Sequence, residues 1–331
     1  MSSVAWRTPP RHYGPWEQVA SNIAEGLVKL GIDVTLFATG GSITAARLSS
    51  ICETGYEEDR SQDAKVLECL HISNLMEKAG EFDIIHNNFD FLPLTYSGLI
   101  KTPVITTIHG FSSPKIIPVY KKYNATGYYV SISNANRSPD LNYLATVYNG
   151  LNVNEFEFNG CPDSYLLYFG RIHPDKGTAE AVHIAKKSNR KLLIAGIIQD
   201  EGYYKERIAP QLNAQIEYIG LAGPEQRNKL LGNAAALLHP INFSEPFGMS
   251  VAEAMLCGTP VIAFNKGSMP ELIKHGETGF LVNNVDEAAG AVGHLKNINR
   301  LACHQWAVSQ FSSEKMVDDY LKLYKGILGN I

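Results

Sequence analysis

The chain has 331 residues, more than one hydrophobic core usually serves, so two domains of roughly 150 residues are expected, each able to bury its own core. The formal net charge is −4, and no dense Lys/Arg run appears, which argues against nucleic acid as the main partner. Cysteines 52, 69, 161, 257 and 303 show neither CxxC nor metal-ligand spacing, no apolar stretch approaches the roughly 18 residues of a spanning helix, and Met1 to Gly14 has no signal-peptide core; free thiols in the cytoplasm are the expectation, with peripheral membrane contact left open.

Along the chain, short apolar runs alternate with amphipathic helical stretches, the pattern of doubly wound parallel sheets. The first half reads as strands at Val34 to Ala38, Asp83 to His86, Val104 to His109, Tyr128 to Ser133 and near Val147. Trp16 to Leu30 reads as a helix with Val19, Ile23, Leu27 and Leu30 on one face, ended by Gly31. Pro15 suits its first position, with Gly14 allowing a close backbone approach, and Trp16 reads either as an acceptor-stacking residue or as the first core residue of the helix. His109 ends a β-branched run and precedes Gly110; alone, it reads as a satisfied strand-end histidine, and His86 reads the same way. Asp83 to Asp90 has no further carboxylates around it and reads as structural rather than as a metal site. Asn149 to Asn159 mixes turn residues with alternating apolar ones and reads as the interdomain connection.

The second half reads as strands at Tyr165 to Phe169, Lys191 to Ala195, Ile216 to Ile219, Ala236 to Leu238 and Val261 to Phe264. After the first of these comes Gly170-Arg-Ile-His-Pro-Asp-Lys-Gly177 and then a helical pattern, which places Arg171 and Lys176 in a loop at the carboxyl end of a parallel strand. Two cations there can hold a diphosphate, Arg by its planar fork and Lys as a mobile charge; they also read as solvated surface cations. Pro240 ends a strand, Glu245 falls in the following loop, and Val251, Ala252, Met255 and Leu256 recur at helical spacing after Gly248, with Gly258 as the stop. Amides at Phe247, Gly248 and Met249 would leave that helix start suited to an anion. Glu253 is expected in the first turn, where Ser250-Val-Ala-Glu253 also reads as a capping box.

Together, Tyr13-Gly14-Pro15-Trp16-Glu17, Thr106-Thr-Ile-His109-Gly110, Gly170-Arg171 with Lys176-Gly177, and the span Glu245-Pro-Phe-Gly to Glu253 resemble the retaining glycosyltransferases of family 4, or group 1. The resemblance implies the GT-B fold, two Rossmann-like doubly wound α/β domains facing a cleft. Residues 1–155 would form an acceptor domain to which the helix 313–331 crosses back, and residues 156–312 a donor domain. It further implies a hexosyl transfer from a UDP- or GDP-sugar co-substrate to the hydroxyl of a sugar, glycan or small-molecule acceptor, with the anomeric configuration kept. No metal or other cofactor is expected, since Arg171, Lys176 and the helix start would stabilise the leaving diphosphate. By the same resemblance Glu253 accepts from ribose hydroxyls, Glu245 orients the donor sugar and His109 faces it, while the Gly220-Leu221 turn is placed beside the nucleobase. A nucleophilic Glu245 ranks lower.

Two features depart from the family. Pro15 replaces the second glycine of the commoner Gly-Gly pair and cannot donate a backbone N–H. Ser2 to Trp6 carries only the end of a first strand that is longer in the family, so either the chain starts late or strand one is short. A nucleotide-sugar hydrolase or epimerase on the same fold, and a non-catalytic nucleotide-binding protein, are the competing functions. The acceptor would be held by the loops Thr39 to Thr44, Asn87 to Pro93 and Phe111 to Lys115, whose few charges favour a neutral partner.

Overall fold

A computed structural model describes residues 1–11, 14–111 and 113–329, so Tyr13 of the Gly-loop, Ser112 and the last two residues of the 313–331 segment lie outside the described residues. The chain forms two compact units, Met1–Leu151 with Ser313–Ile331, and Asn152–Ser312. The division falls inside the turn-rich stretch from Asn149. Asn152 to Glu155, expected in the first domain, belong to the second unit, where the Glu155 carbonyl accepts from Asn228 Nδ2 at 2.5 Å.

In the first unit, β1 (Thr35–Phe37) pairs in parallel with β2 (Arg47–Ser49), and β3 (Ile85–Asn87), β4 (Val104–Ile108), β5 (Tyr128–Ser131) and β6 (Tyr143–Thr146) form a parallel sheet in that order. β6 lies just before the expected position near Val147. β2 carries no apolar run because its side chains are largely exposed, which is why hydrophobic pattern does not mark it. Met1 and Ser2 bond to both neighbouring edges: the Met1 amine donates to the His86 carbonyl at 2.7 Å and Ser2 N to the Phe37 carbonyl at 2.9 Å. Burial pulls that amine down to about 5.

Helix Pro15–Lys29 begins at its proline, with Gly14 at φ 153 as the cap residue. Val19, Ile23 and Leu27 of this helix, Ile105 and Val130 of the sheet, and Met316, Val317, Tyr320, Tyr324 and Ile327 of helix Ser313–Gly329 share one buried cluster. Its polar atoms are paired: His86 bonds Tyr324 Oη at 2.6 Å and Thr107 Oγ1 at 2.7 Å, and Thr107 bonds Tyr320 Oη at 2.7 Å. His86 is therefore a satisfied core residue, as a buried imidazole should be.

The second unit holds β7 (Leu166–Phe169), β8 (Leu192–Ala195), β9 (Ile216–Gly220), β10 (Ala236–His239), β11 (Val261–Phe264) and β12 (Gly279–Val282), all parallel, in the order β12-β11-β10-β7-β8-β9. β12, an edge strand interrupted by turn residues on either side, was not expected from pattern. The chain runs outward from β7 in one direction and from β10 in the other, so the order reverses between these two neighbours. That reversal opens a crevice at their carboxyl ends.

Tyr320 is 1% exposed and touches both His86 and Tyr324. Tyr320→Ala is expected to cost about 3–5 kcal/mol of unfolding free energy in a urea titration, against less than about 0.5 kcal/mol for Leu99→Ala; Leu99 is 81% exposed.

Candidate active site

The loops after β7 and β10 meet because one position between them has no room for a side chain. Gly177 is left-handed at φ 71, and a Cβ there would lie 1.8 Å from the Pro240 carbonyl oxygen. Asn242 N donates to the Asp175 carbonyl at 2.7 Å, fastening the two loops two residues away from that contact. This approach delivers Lys176 to Glu245: Nζ stands 2.5 Å from Oε2, with the ammonium 4.7 Å from the centre of the Phe243 ring. Glu245 is not a solvated loop residue, since its side chain is 11% exposed. Its backbone is held by Ser268 N, which donates to the Glu245 carbonyl at 3.0 Å.

Arg171 leaves the same β7 loop. Its guanidinium donates to Gln199 Oε1, and its carbonyl accepts from Tyr168 Oη at 2.7 Å. Gly170 and Gly196 let the ends of β7 and β8 close together, because a Cβ on Gly196 would stand 1.8 Å from the Gly170 carbonyl oxygen. At the end of β9, Gly220 is left-handed at φ 79 and the adjoining Leu221 is 55% exposed.

The helix after β10 is Met249–Leu256, capped by Gly248 at φ 91 with no side-chain cap bond. Gly248 and Met249 thus sit at a helix start whose first amides have no acceptor within the helix. The buried Phe247 precedes them, its carbonyl accepting from Ser268 Oγ at 2.7 Å. Two expectations are corrected here. Glu253 lies beyond the first turn, and Ser250 to Glu253 forms no capping box, because the turn begins at Gly248 and Glu253 has another partner. That partner is Arg227, on helix Pro224–Asn233, whose guanidinium stands 3.3 Å from Glu253 Oε1, 3.7 Å from Glu155 Oε2 and 4.7 Å from the Phe156 ring centre.

The two carboxylates therefore sit in different fields. Burial alone would raise the Glu245 carboxyl, but its contacts with His239 and Lys176 outweigh burial and hold the group at about 2. His239 Nε2 acts on Oε2 from 3.6 Å, beyond hydrogen-bond distance, while Lys176 makes the direct bond. Glu253 is pushed upward by burial, with Arg227 pulling against it.

In the first unit, His109 is buried and its Nε2 bonds Asn88 Oδ1 at 3.0 Å, which leaves Nδ1 as a buried atom with no partner among the described residues. Burial lowers its pKa to about 3, so the ring is neutral and Nδ1 is an acceptor. The half-buried Trp16 stacks on it with ring centres 5.6 Å apart, a contact that neither core packing nor acceptor stacking anticipated. Asp90 Oδ1 accepts from Tyr120 Oη at 2.5 Å.

Residues 156–302 match the family model described as glycosyl transferases group 1. That segment belongs to the group 1 glycosyl transferases. An uncharacterized glycosyltransferase of Methanocaldococcus jannaschii is 24% identical over 89% of this chain and 88% of its own. In fold, the chain is similar to sucrose-phosphate synthase from Thermosynechococcus elongatus, with a TM-score of 0.79 at 18% identity over 99% of this chain and 98% of that one. It is likewise similar to the Anabaena protein HepE, solved with UDP and glucose, with a TM-score of 0.73 at 19% identity over 95% of this chain and 96% of that one. The architecture is GT-B. Three contributors to the candidate site, Arg227, His239 and Gln199, were not expected from sequence; His239 beside Pro240 offered only a strand end, and Arg227 and Gln199 carry no motif.

The Glu245 shift has a sign that can be measured. Its folded pKa of about 2 lies below the ordinary 4.5, so the associated stability is present above pH 4.5 and is lost as pH falls toward 2. Wild type is expected to lose on the order of 3 kcal/mol through this group across that window, and Lys176→Met distinctly less, by urea unfolding at successive pH values. Equal slopes in both proteins would contradict the pairing.

Proposed function

We propose that the protein is a retaining glycosyltransferase of family 4 that moves a hexosyl group from a UDP- or GDP-sugar to a hydroxyl acceptor in the cytoplasm, without a metal ion. The observation that carries this reading is the convergence of Lys176, Glu245 and the start of helix Met249–Leu256 where the strand order reverses between β7 and β10. A nucleotide-sugar presents a diphosphate, a sugar and a ribose in series. Arg171, Lys176 and the amides of Gly248 and Met249 meet the diphosphate; Glu245 meets sugar hydroxyls; Glu253 meets the ribose; and Gly220-Leu221 borders the base.

The chemistry demands little more. Negative charge grows on the departing diphosphate as the anomeric carbon becomes positive, and fixed cations and helix amides stabilise the first. The departing phosphate oxygen helps to take the acceptor proton, and attack on the same face keeps the configuration. His109, with its unbonded Nδ1, is the residue of the first unit assigned to substrate. Uridine is supported by the HepE likeness, since that protein was solved with UDP. The sparsely charged loops of the first unit favour a sugar, glycan or other neutral acceptor.

Calorimetry with UDP, GDP and their hexose conjugates, in the presence of EDTA, is expected to give selective binding of one nucleotide, weakened about 10- to 100-fold by Arg171→Ala, as loss of a charge-assisted phosphate contact would. Binding that requires Mg²⁺, or no binding by folded protein, would overturn the reading. Donor consumption that no acceptor accelerates would favour the hydrolase alternative.

A further inference from the structure

One oxygen of the site is approached by two nitrogens and bonded by one. Glu245 Oε2 lies 2.5 Å from Lys176 Nζ and 3.6 Å from His239 Nε2. The His239 side chain is 8% exposed, and its Nε2 is buried with no hydrogen-bond partner. Buried polar groups are almost always bonded, and among the described residues His239 Nε2 shares its lack of a partner with only two other histidine nitrogens, His71 Nδ1 and His109 Nδ1. His239 is held at the end of β10 with Pro240 behind it, facing a carboxylate it does not reach.

The Lys176 ammonium has three donors, but a diphosphate bound beside it would compete with Glu245 Oε2 for its charge. In the reading given under Proposed function, on which this inference rests, the donor diphosphate draws that ammonium away from Glu245. Oε2 would then be a buried carboxylate oxygen stripped of its cation, an arrangement that desolvation penalises heavily. His239 Nε2–H needs to close by less than about 1 Å to make an ordinary hydrogen bond to the same oxygen. We infer that His239 is a positioning residue that takes over Glu245 Oε2 when Lys176 engages the diphosphate, so that Glu245 keeps its aim at the donor sugar while the cation changes partner. The free site is thus a latched state, and donor binding exchanges one contact for another.

The exchange predicts a split between nucleotide binding and turnover. Calorimetry with UDP or GDP, whichever wild type binds, and the rate of nucleotide release from the matching nucleotide-glucose are measured for wild type, His239→Leu and His239→Gln. The Leu variant is expected to bind free nucleotide within about twofold of wild type, because no sugar is there to orient, while its release rate falls at least about tenfold. The Gln variant, whose amide nitrogen reaches the place of Nε2, is expected to recover to within about threefold of wild type. A Leu variant that releases nucleotide at the wild-type rate overturns the exchange, and so do Leu and Gln variants equally impaired, which would mark a packing role. If the Leu variant does not fold, His239→Asn takes its place under the same expectations, since its shorter amide stays polar but stops short of Oε2. Wild type that binds neither nucleotide overturns the proposed function itself, whereas wild-type turnover matched by the Leu variant overturns the exchange alone.

Discussion

The ion pair between Lys176 and Glu245, 69 positions apart in the chain, makes one site of two loops. Each loop alone offers only an exposed charge. Brought together they form a buried pair, and a buried pair gains little net stability, because desolvation of two charges offsets most of their attraction. Under the proposed function, the pair keeps ready an ammonium for a diphosphate and an ionised carboxylate for hydroxyl donors. The Arg227–Glu253 contact repeats the arrangement for the second carboxylate.

What permits the pair is backbone rather than side-chain chemistry. The reversal of strand order between β7 and β10 leaves their carboxyl ends open, and glycines at 177, 196 and 267 let neighbouring segments approach more closely than any Cβ would allow. Gly267 is the case that fixes Glu245, since a Cβ there would come 2.3 Å from the Glu245 amide nitrogen. Site geometry therefore depends on three backbone contacts set by topology, and the charged groups occupy positions those contacts create.

Much of this was legible in the sequence, for identifiable reasons. Short apolar runs bounded by turn residues marked ten of the strands, because buried parallel strands are apolar on both faces. They failed for Arg47–Ser49 and Gly279–Val282, which lie at sheet edges where one face or one end is solvated. Lys176 and Glu245 were legible as separate motif residues, whereas their contact depends on a fold-level approach of two loops. Arg227 was illegible because a lone arginine on a polar helix has the pattern of a solvated face, and His239 because a histidine before proline signals a strand end with equal force. The capping-box reading of Ser250 to Glu253 failed because Gly248 begins the helix so that Glu253 lies past its first turn.

Under the proposed function these loops receive a nucleotide diphosphate. A crystal structure of the protein grown with UDP tests it most directly. The diphosphate is expected against Arg171, Lys176 and the amides of Gly248 and Met249, with Lys176 Nζ moved off Glu245 and the ribose hydroxyls on Glu253. Nucleotide bound away from the carboxyl ends of β7 and β10, or bound there with the Lys176–Glu245 contact intact and no phosphate on Arg171, would contradict it.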